Sequence, residues 1–183
     1  MKYRKILPHL LFAILVVIFV LLNNSGLKLD KIIQPSQQNL ESSVKETFKV
    51  TKVVDGDTIK VLVNNKEETV RLIGIDTPEV VDPRKTVECF GIEASNKAKE
   101  ILNGKNVRLE SDSTQGNKDK YGRLLRYVFL EDYTNFNKFM ILEGYAHEYT
   151  YNSNPYKYQL EFKIAERQAR ENKKGLWADN ICG

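Results

Sequence analysis

The chain has 183 residues, 42% of them apolar and 28% charged, which suits one globular domain with a real core plus an additional segment. The formal net charge of +4 overstates its basicity. Lys2, Arg4 and Lys5 crowd the N-terminus, and without these three of the 28 basic residues there remain 25 against 24 acidic ones. That excludes a bulk polycation that coats nucleic acid, and leaves any such affinity to local basic patches.

The three N-terminal cations precede an apolar run over 10–22, with Ile6 and Leu7 ahead of it and Pro8 and His9 between. A positive region followed by an apolar one predicts a signal peptide or a membrane anchor over 1–22. The run is short for a spanning helix, which needs about 20 residues. Asn23-Asn24-Ser25-Gly26 contains no small-x-small cleavage site, so both alternatives stand. Either sends the rest of the chain out of the cytoplasm, secreted or held at the cell surface through residues 6–22, because the positive flank stays inside. Residues 23–44 are polar, rich in Gln, Asn and Ser, and read as a flexible spacer. A folded domain is expected over 45–183.

Residues 48–54 and 58–63 alternate apolar and polar, as half-buried strands do. Asn64-Asn65 reads as a turn, and 69–75 as the next strand. Over 91–102, Ile92, Ala94, Ala98, Ile101 and Leu102 fall on a helical period closed by Asn103-Gly104. A short strand over 107–110, a polar loop over 111–120 and a strand over 123–130 follow. A second helix is predicted over 135–143 and a third over 155–174, with Leu176 and Trp177 folding back onto the core. Five short strands and three helices in this order suit an α+β fold, a small Greek-key barrel with helices outside it. The regular strand–helix alternation of a doubly wound sheet is missing.

Three segments carry the chemistry. Asp55-Gly56-Asp57-Thr58 joins two strands and alone reads as a tight turn. Asp76-Thr77-Pro78-Glu79 leaves a strand for a loop, where functional groups gather. Pro78 keeps Thr77 out of helical geometry, which can turn the Thr77 carbonyl toward a metal; Asp57 and Asp76 would add carboxylates and water the remaining Ca2+ positions. Arg71 stands five residues before Asp76, and odd spacing puts the two on opposite faces of a regular strand. They share a site only if the chain bends near Gly74. Asp119-Lys120-Tyr121-Gly122-Arg123 enters the last strand. Alone it is an ordinary charged turn, but Lys120 and Arg123 can take phosphates and Tyr121 a phosphate or a base. Oxygen ligands for a hard metal, arginine forks for phosphate and a base for water together point to cleavage of a phosphodiester.

The remaining features are less specific. Tyr149, Tyr151, Tyr156 and Tyr158 cluster before the third helix; core packing accounts for most of them and leaves one or two for a base pocket. Lys157, Lys163, Arg167, Arg170, Lys173 and Lys174 form the richest basic segment, but Glu161, Glu166 and Glu171 interleave with them as on a solvated helix face. Cys89 and Cys182 permit one disulfide in an exported protein, or two free thiols. With His9 and His147 the only histidines, a histidine-based metal site is excluded.

Taken in order, the three segments resemble the motifs of the thermonuclease family, the staphylococcal nuclease-like domain. The run from Glu88 to Ser95, Gly144-Tyr145-Ala146 and Gly175-Leu176-Trp177 are similar to its later landmarks, and the likeness spans 47–177. The resemblance implies a five-stranded OB-fold barrel with three helices and a monomeric Ca2+-dependent nuclease acting on DNA and RNA, with the 5′-oxygen leaving and 3′-phosphates remaining. It implies Asp57, Asp76 and the Thr77 carbonyl as calcium ligands, with Asp55 and Asp119 supporting the site from behind. Arg71 and Arg123 would stabilise five-coordinate phosphorus, and Glu79 would position or deprotonate the attacking water. Lys120 and Tyr121 would hold the nucleotide, beside a basic loop over 80–87 that carries Arg84 and Lys85. Aligned without gaps, the family's second nucleotide-binding tyrosine falls on Thr150, and a shift of one residue places Tyr149 or Tyr151 there. Cys89 and Cys182 resemble a disulfide pair of some exported relatives. The alternative is a non-catalytic nucleic-acid-binding module on the same barrel. Such a module is expected to lose Arg71, Glu79 or Arg123, and all three are present. A structural or adhesion domain would need none of this set.

Overall fold

The computed structural model describes residues 46–80 and 86–182. They belong to the second of the two units, 1–44 and 45–183, into which the chain divides. The N-terminal apolar run, the spacer, and Arg84 and Lys85 lie outside the described residues.

Strands β1 (Phe48–Val53), β2 (Thr58–Val63) and β3 (Lys66–Leu72) come first, then a two-residue strand β4 (Ile75–Asp76) and helix α1 (Gly91–Leu102). Strands β5 (Asn106–Glu110) and β6 (Leu124–Phe129), helix α2 (Phe136–Leu142), the two-residue strand β7 (His147–Glu148) and helix α3 (Gln159–Glu171) complete the order. Five strands close a barrel in the sequence β1-β2-β3-β6-β5. All its pairings are antiparallel except β3 with β6. This closed five-stranded barrel with three helices is an OB-fold, and closure removes the unpaired edges an open sheet would carry.

Alternation along the strands fills the barrel: Val50, Ile59, Val61, Val70, Leu72 and Val107 are buried. Asn64 and Asn65 make the β2–β3 turn with φ of 49° and 61°, a left-handed pair that asparagine tolerates and that suits a two-residue hairpin. Helix α1 buries Ala94, Ala98 and Leu102, and α3 buries Phe162, Ala165 and Ala169. Tyr127, Phe136 and Phe162 are the largest fully buried side chains. Cys89, just ahead of α1, and Cys182 form a disulfide that spans 93 residues, with their Cα atoms 5.8 Å apart. Among the described residues no helix is long and apolar enough to cross a membrane.

The sequence expectation lacks the two-residue strands β4 and β7, and two further elements differ from it in extent. The strand expected over 69–75 runs Lys66–Leu72 and stops there, because Gly74 takes φ +78° and turns the chain. The helix expected over 155–174 begins at Gln159 and ends at Glu171. Ahead of it, the Lys157 N–H bonds Asp112 Oδ2 at 2.7 Å and the Pro155 carbonyl accepts from Thr114 and Gln115. These long-range bonds hold 155–158 outside the helix.

Candidate active site

Gly74 decides whether Arg71 and Asp76 meet. The Tyr156 ring lies where a side chain at position 74 would begin, with Cε2 2.6 Å from an ideal Cβ position. Only glycine combines that close approach with a left-handed φ. Beyond the turn, Ile75 and Asp76 pair with Glu148 and His147 of β7. Asp76 is thereby brought back beside Arg71: Nη2 donates to Asp76 Oδ1 at 2.8 Å and lies 3.0 Å from Asp57 Oδ2. The other terminal nitrogen, Nη1, donates to the carbonyls of Leu72 at 2.9 Å and Ile75 at 2.8 Å. Asn137 locks the turn from behind, donating to the Ile73 carbonyl at 2.9 Å and accepting from Val128 N–H at 3.0 Å.

Asp57 reaches the same arginine because β2 and β3 pair with Thr58 opposite Arg71. Its side chain is only 8% exposed. It accepts the Thr58 hydroxyl at 2.8 Å and the Thr77 N–H at 3.1 Å. Gly56 packs against Thr77 so closely that an added Cβ would stand 2.6 Å from the threonine methyl, which interlocks the first two motifs. Asp55 accepts the Asp57 N–H at 3.2 Å. Burial, and then the charge of Asp57, push the Asp55 carboxyl up to about 7.

The third motif is organised by Asp119. Its carboxylate accepts from Tyr121 N–H at 2.9 Å, Arg123 N–H at 3.0 Å and Arg123 Nε at 2.7 Å. Burial alone would raise this carboxyl, but the bonds from Arg123 and the backbone outweigh it and hold the group below its ordinary value. The Tyr121 ring is 71% exposed. The Lys120 ammonium lies 5.0 Å from its centroid and the Arg123 guanidinium 5.3 Å.

A cleft of about 590 Å³ opens between these parts. Arg71, Asp76, Asp119, Lys120, Tyr121 and Arg123 line it together with Tyr149, Tyr151 and Tyr156. Of the tyrosines, Tyr156 is buried and belongs to the floor, whereas Tyr149 and Tyr151 are exposed. Asp55, Asp57, Thr77 and Glu79 are not among the lining residues. Asp57 and Thr77 sit behind Arg71, bonded as described. Glu79 is half-buried; its carboxylate accepts from Val80 N–H at 2.9 Å, and its N–H and carbonyl pair with Glu88 Oε2 and Glu88 N–H, each at 2.9 Å. None of the basic residues of α3 lines the cleft.

Two carboxylate oxygens converging on one arginine nitrogen make an all-oxygen donor set that fits a hard cation such as Ca2+. Among the described residues no group of three or more His, Cys, Asp or Glu gathers to hold a metal. Asn137 and Glu148 support the site without any signal in the sequence, and Tyr156 is legible only as one of a tyrosine cluster, since each acts on the Gly74 turn from more than sixty residues away in the chain. Lys118, Gln115 and Asn154 at the margin of the cleft carried no motif either.

Residues 69–179 match the family model described as staphylococcal nuclease homologue. The chain is 42% identical over 140 residues to a thermonuclease of Staphylococcus hyicus, which covers 76% of this chain and 80% of that protein. It is 38% identical over 168 residues to a thermonuclease of Staphylococcus intermedius, covering 92% and 93% of the two chains. To the endonuclease YncB of Bacillus subtilis it is 37% identical over 145 residues, 79% of this chain and 66% of that one. A barrel of this topology, matched over this span at these identities, belongs to the staphylococcal nuclease homologue family.

Proposed function

We propose that the chain is an exported, monomeric, Ca2+-dependent nuclease that hydrolyses phosphodiester bonds of DNA and RNA and leaves 3′-phosphates. The observation that carries this reading is one cleft in which two arginines from different motifs meet the Asp76 carboxylate, a lysine and exposed tyrosines, with Asp57 paired to Arg71 outside the lining. Relatives named as thermonucleases and an endonuclease support it.

Arg71 is held by two carbonyls and two carboxylates, so its charge needs no reorganisation as negative charge grows on phosphorus, the condition under which such stabilisation is largest. Arg123 is fixed through Nε on Asp119. Among the described residues its terminal nitrogens take no protein acceptor, and they can fork onto phosphate oxygens. Lys120 adds a second cation, while Tyr121, Tyr149 and Tyr151 offer faces for bases. Glu79 positions or deprotonates the attacking water as the water oxygen bonds phosphorus and the P–O5′ bond breaks, and the leaving O5′ takes a proton from solvent. Asp57, Asp76 and the Thr77 carbonyl would hold calcium, with Asp55 behind them. When bound, that ion supplies Lewis-acid polarisation of a phosphate oxygen and a template for the substrate. Lys85 would join the nucleotide contacts from the basic loop.

The site assignment is tested by Asp57→Ala and Arg123→Ala. Asp57→Ala is expected to raise the calcium concentration needed for half-maximal activity, and an unchanged dependence refutes its ligand role. Arg123→Ala is expected to lower kcat at least ~100-fold, the scale of losing one preorganised stabiliser; near-normal turnover by the folded variant refutes its part. Export is tested by fractionating cells that express the full chain: protein in the medium or at the outer membrane face supports it, and cytoplasmic protein refutes it.

A further inference from the structure

Thr150 lies between Tyr149 and Tyr151, and its contacts separate it from both. The Thr150 hydroxyl donates to Glu148 Oε1 at 2.6 Å and accepts from Gln159 Nε2 at 2.7 Å. It is bonded within the protein and is not among the residues lining the cleft, although both its neighbours, Tyr149 and Tyr151, are. The same Glu148 oxygen accepts the Tyr156 hydroxyl at 2.8 Å. Tyr156 in turn packs its ring against Gly74 and lies with its hydroxyl 3.3 Å from the Gly74 carbonyl, which also accepts from Tyr149 N–H at 3.0 Å. The Glu148 backbone is paired opposite Ile75. One carboxylate thus joins the tyrosine-bearing segment to the turn that brings Arg71 and Asp76 together.

We propose that Glu148 is a positioning residue for substrate binding: by holding Thr150 inward and Tyr156 against Gly74, it sets Tyr149 and Tyr151 on the wall of the cleft. This rests on the cleft being the nucleic-acid site. The Gly74 turn has independent supports, since Arg71 bonds the carbonyls of Leu72 and Ile75 on either side of it and Asn137 bonds that of Ile73. For the 149–151 segment, the side-chain anchorage among the described residues is Thr150 on Glu148 and Gln159. Loss of Glu148 therefore falls on substrate affinity more than on turnover.

The test uses the full chain in detergent. It compares binding of a fluorescent single-stranded phosphorothioate oligonucleotide, which resists cleavage, with KM and kcat on the ordinary oligonucleotide and with the melting temperature. Glu148→Ala is expected to weaken binding and raise KM about tenfold, roughly the loss of one base–aromatic stack, with kcat within about threefold. Glu148→Gln keeps an acceptor oxygen for both hydroxyls, and is expected to bind within about twofold of the parent. A Glu148→Ala protein that melts earlier but binds with parent affinity when folded overturns the proposal. If Glu148→Ala does not fold, Thr150→Val decides: about threefold weaker binding is expected, and parent-like binding overturns the proposal. A parent chain that binds the oligonucleotide without cleaving the ordinary one overturns the nuclease reading and leaves the binding comparison decisive. A parent that does not bind overturns both.

Discussion

Replacing Arg71 by alanine removes the cation on which the site is built, and the cost follows from its contacts. Arg71 serves the carbonyls of Leu72 and Ile75 and the carboxylates of Asp57 and Asp76. The Asp76 side chain is 55% exposed, so water replaces most of what it loses. Asp57 is different: at 8% exposure it becomes a nearly buried charge without its partner, a defect that costs about 3–5 kcal/mol. For a domain of this size each kcal/mol moves the melting temperature by about 3 °C, so a fall of about 10–15 °C is expected. Calcium held at Asp57 and Asp76 would stabilise parent and variant alike by mass action, so the fall is read in a chelator. Melting curves of parent and variant in a chelator measure it. Turnover is then compared at a temperature where both proteins are folded, with a decrease in kcat of at least ~100-fold expected. A melting temperature within about 2 °C of the parent, or a folded variant with kcat within tenfold, would refute the reasoning.

Three further outcomes are expected. Gly74→Ala places a Cβ at a left-handed φ and against the Tyr156 ring; a loss of at least ~2 kcal/mol in urea unfolding is expected, and a parent-like midpoint would show that the turn is not constrained as described. Asp112 accepts from Tyr127 Oη, Lys157 N–H and Thr114. Burial raises its carboxyl, but these bonds outweigh burial and hold it below its ordinary value of 3.8. With the folded-state value below the unfolded one, its stabilisation is complete above about pH 4 and is lost as pH falls through the folded-state value. Asp112→Asn should therefore flatten the pH dependence of stability in that acid range, and an unaltered slope counts against the assignment. Reducing the Cys89–Cys182 disulfide opens a closed loop spanning 93 residues and should lower stability by about 4 kcal/mol in the chain-entropy view; unfolding midpoints that coincide with and without reductant would show no such constraint.

What could be read from the chain was local. Ala94, Ala98 and Leu102 fall on a helical period and are buried along α1, whereas Ile92 of the same expected stripe is exposed and Ile101 is half-buried, and Asn64-Asn65 is a turn because asparagine accepts positive φ. The condition for Arg71 and Asp76 to meet, a bend near Gly74, was also legible, but not its cause, since the ring that shapes it belongs to Tyr156, 82 residues away. The β4–β7 pairing is two residues long on each side, too short for any periodicity. Residues 155–158 have the composition to begin a helix but answer instead to Asp112, across 45 residues. Of the late basic residues, Lys163, Arg167 and Arg170 lie exposed on α3, with Arg170 near Glu166, whereas Lys157 and Lys174 fall outside the helix and pair with Glu110 and Glu143. Among the tyrosines, exposure separates Tyr149 and Tyr151 from buried Tyr156, a distinction that spacing alone does not draw.

The central claim, a calcium-dependent nuclease, is tested most directly by incubating the purified full chain with single-stranded DNA in calcium and in a chelator, and identifying the product ends. Cleavage in calcium alone, leaving 3′-phosphates, is expected. A folded protein that does not cleave, or that cleaves equally in the chelator, would contradict it.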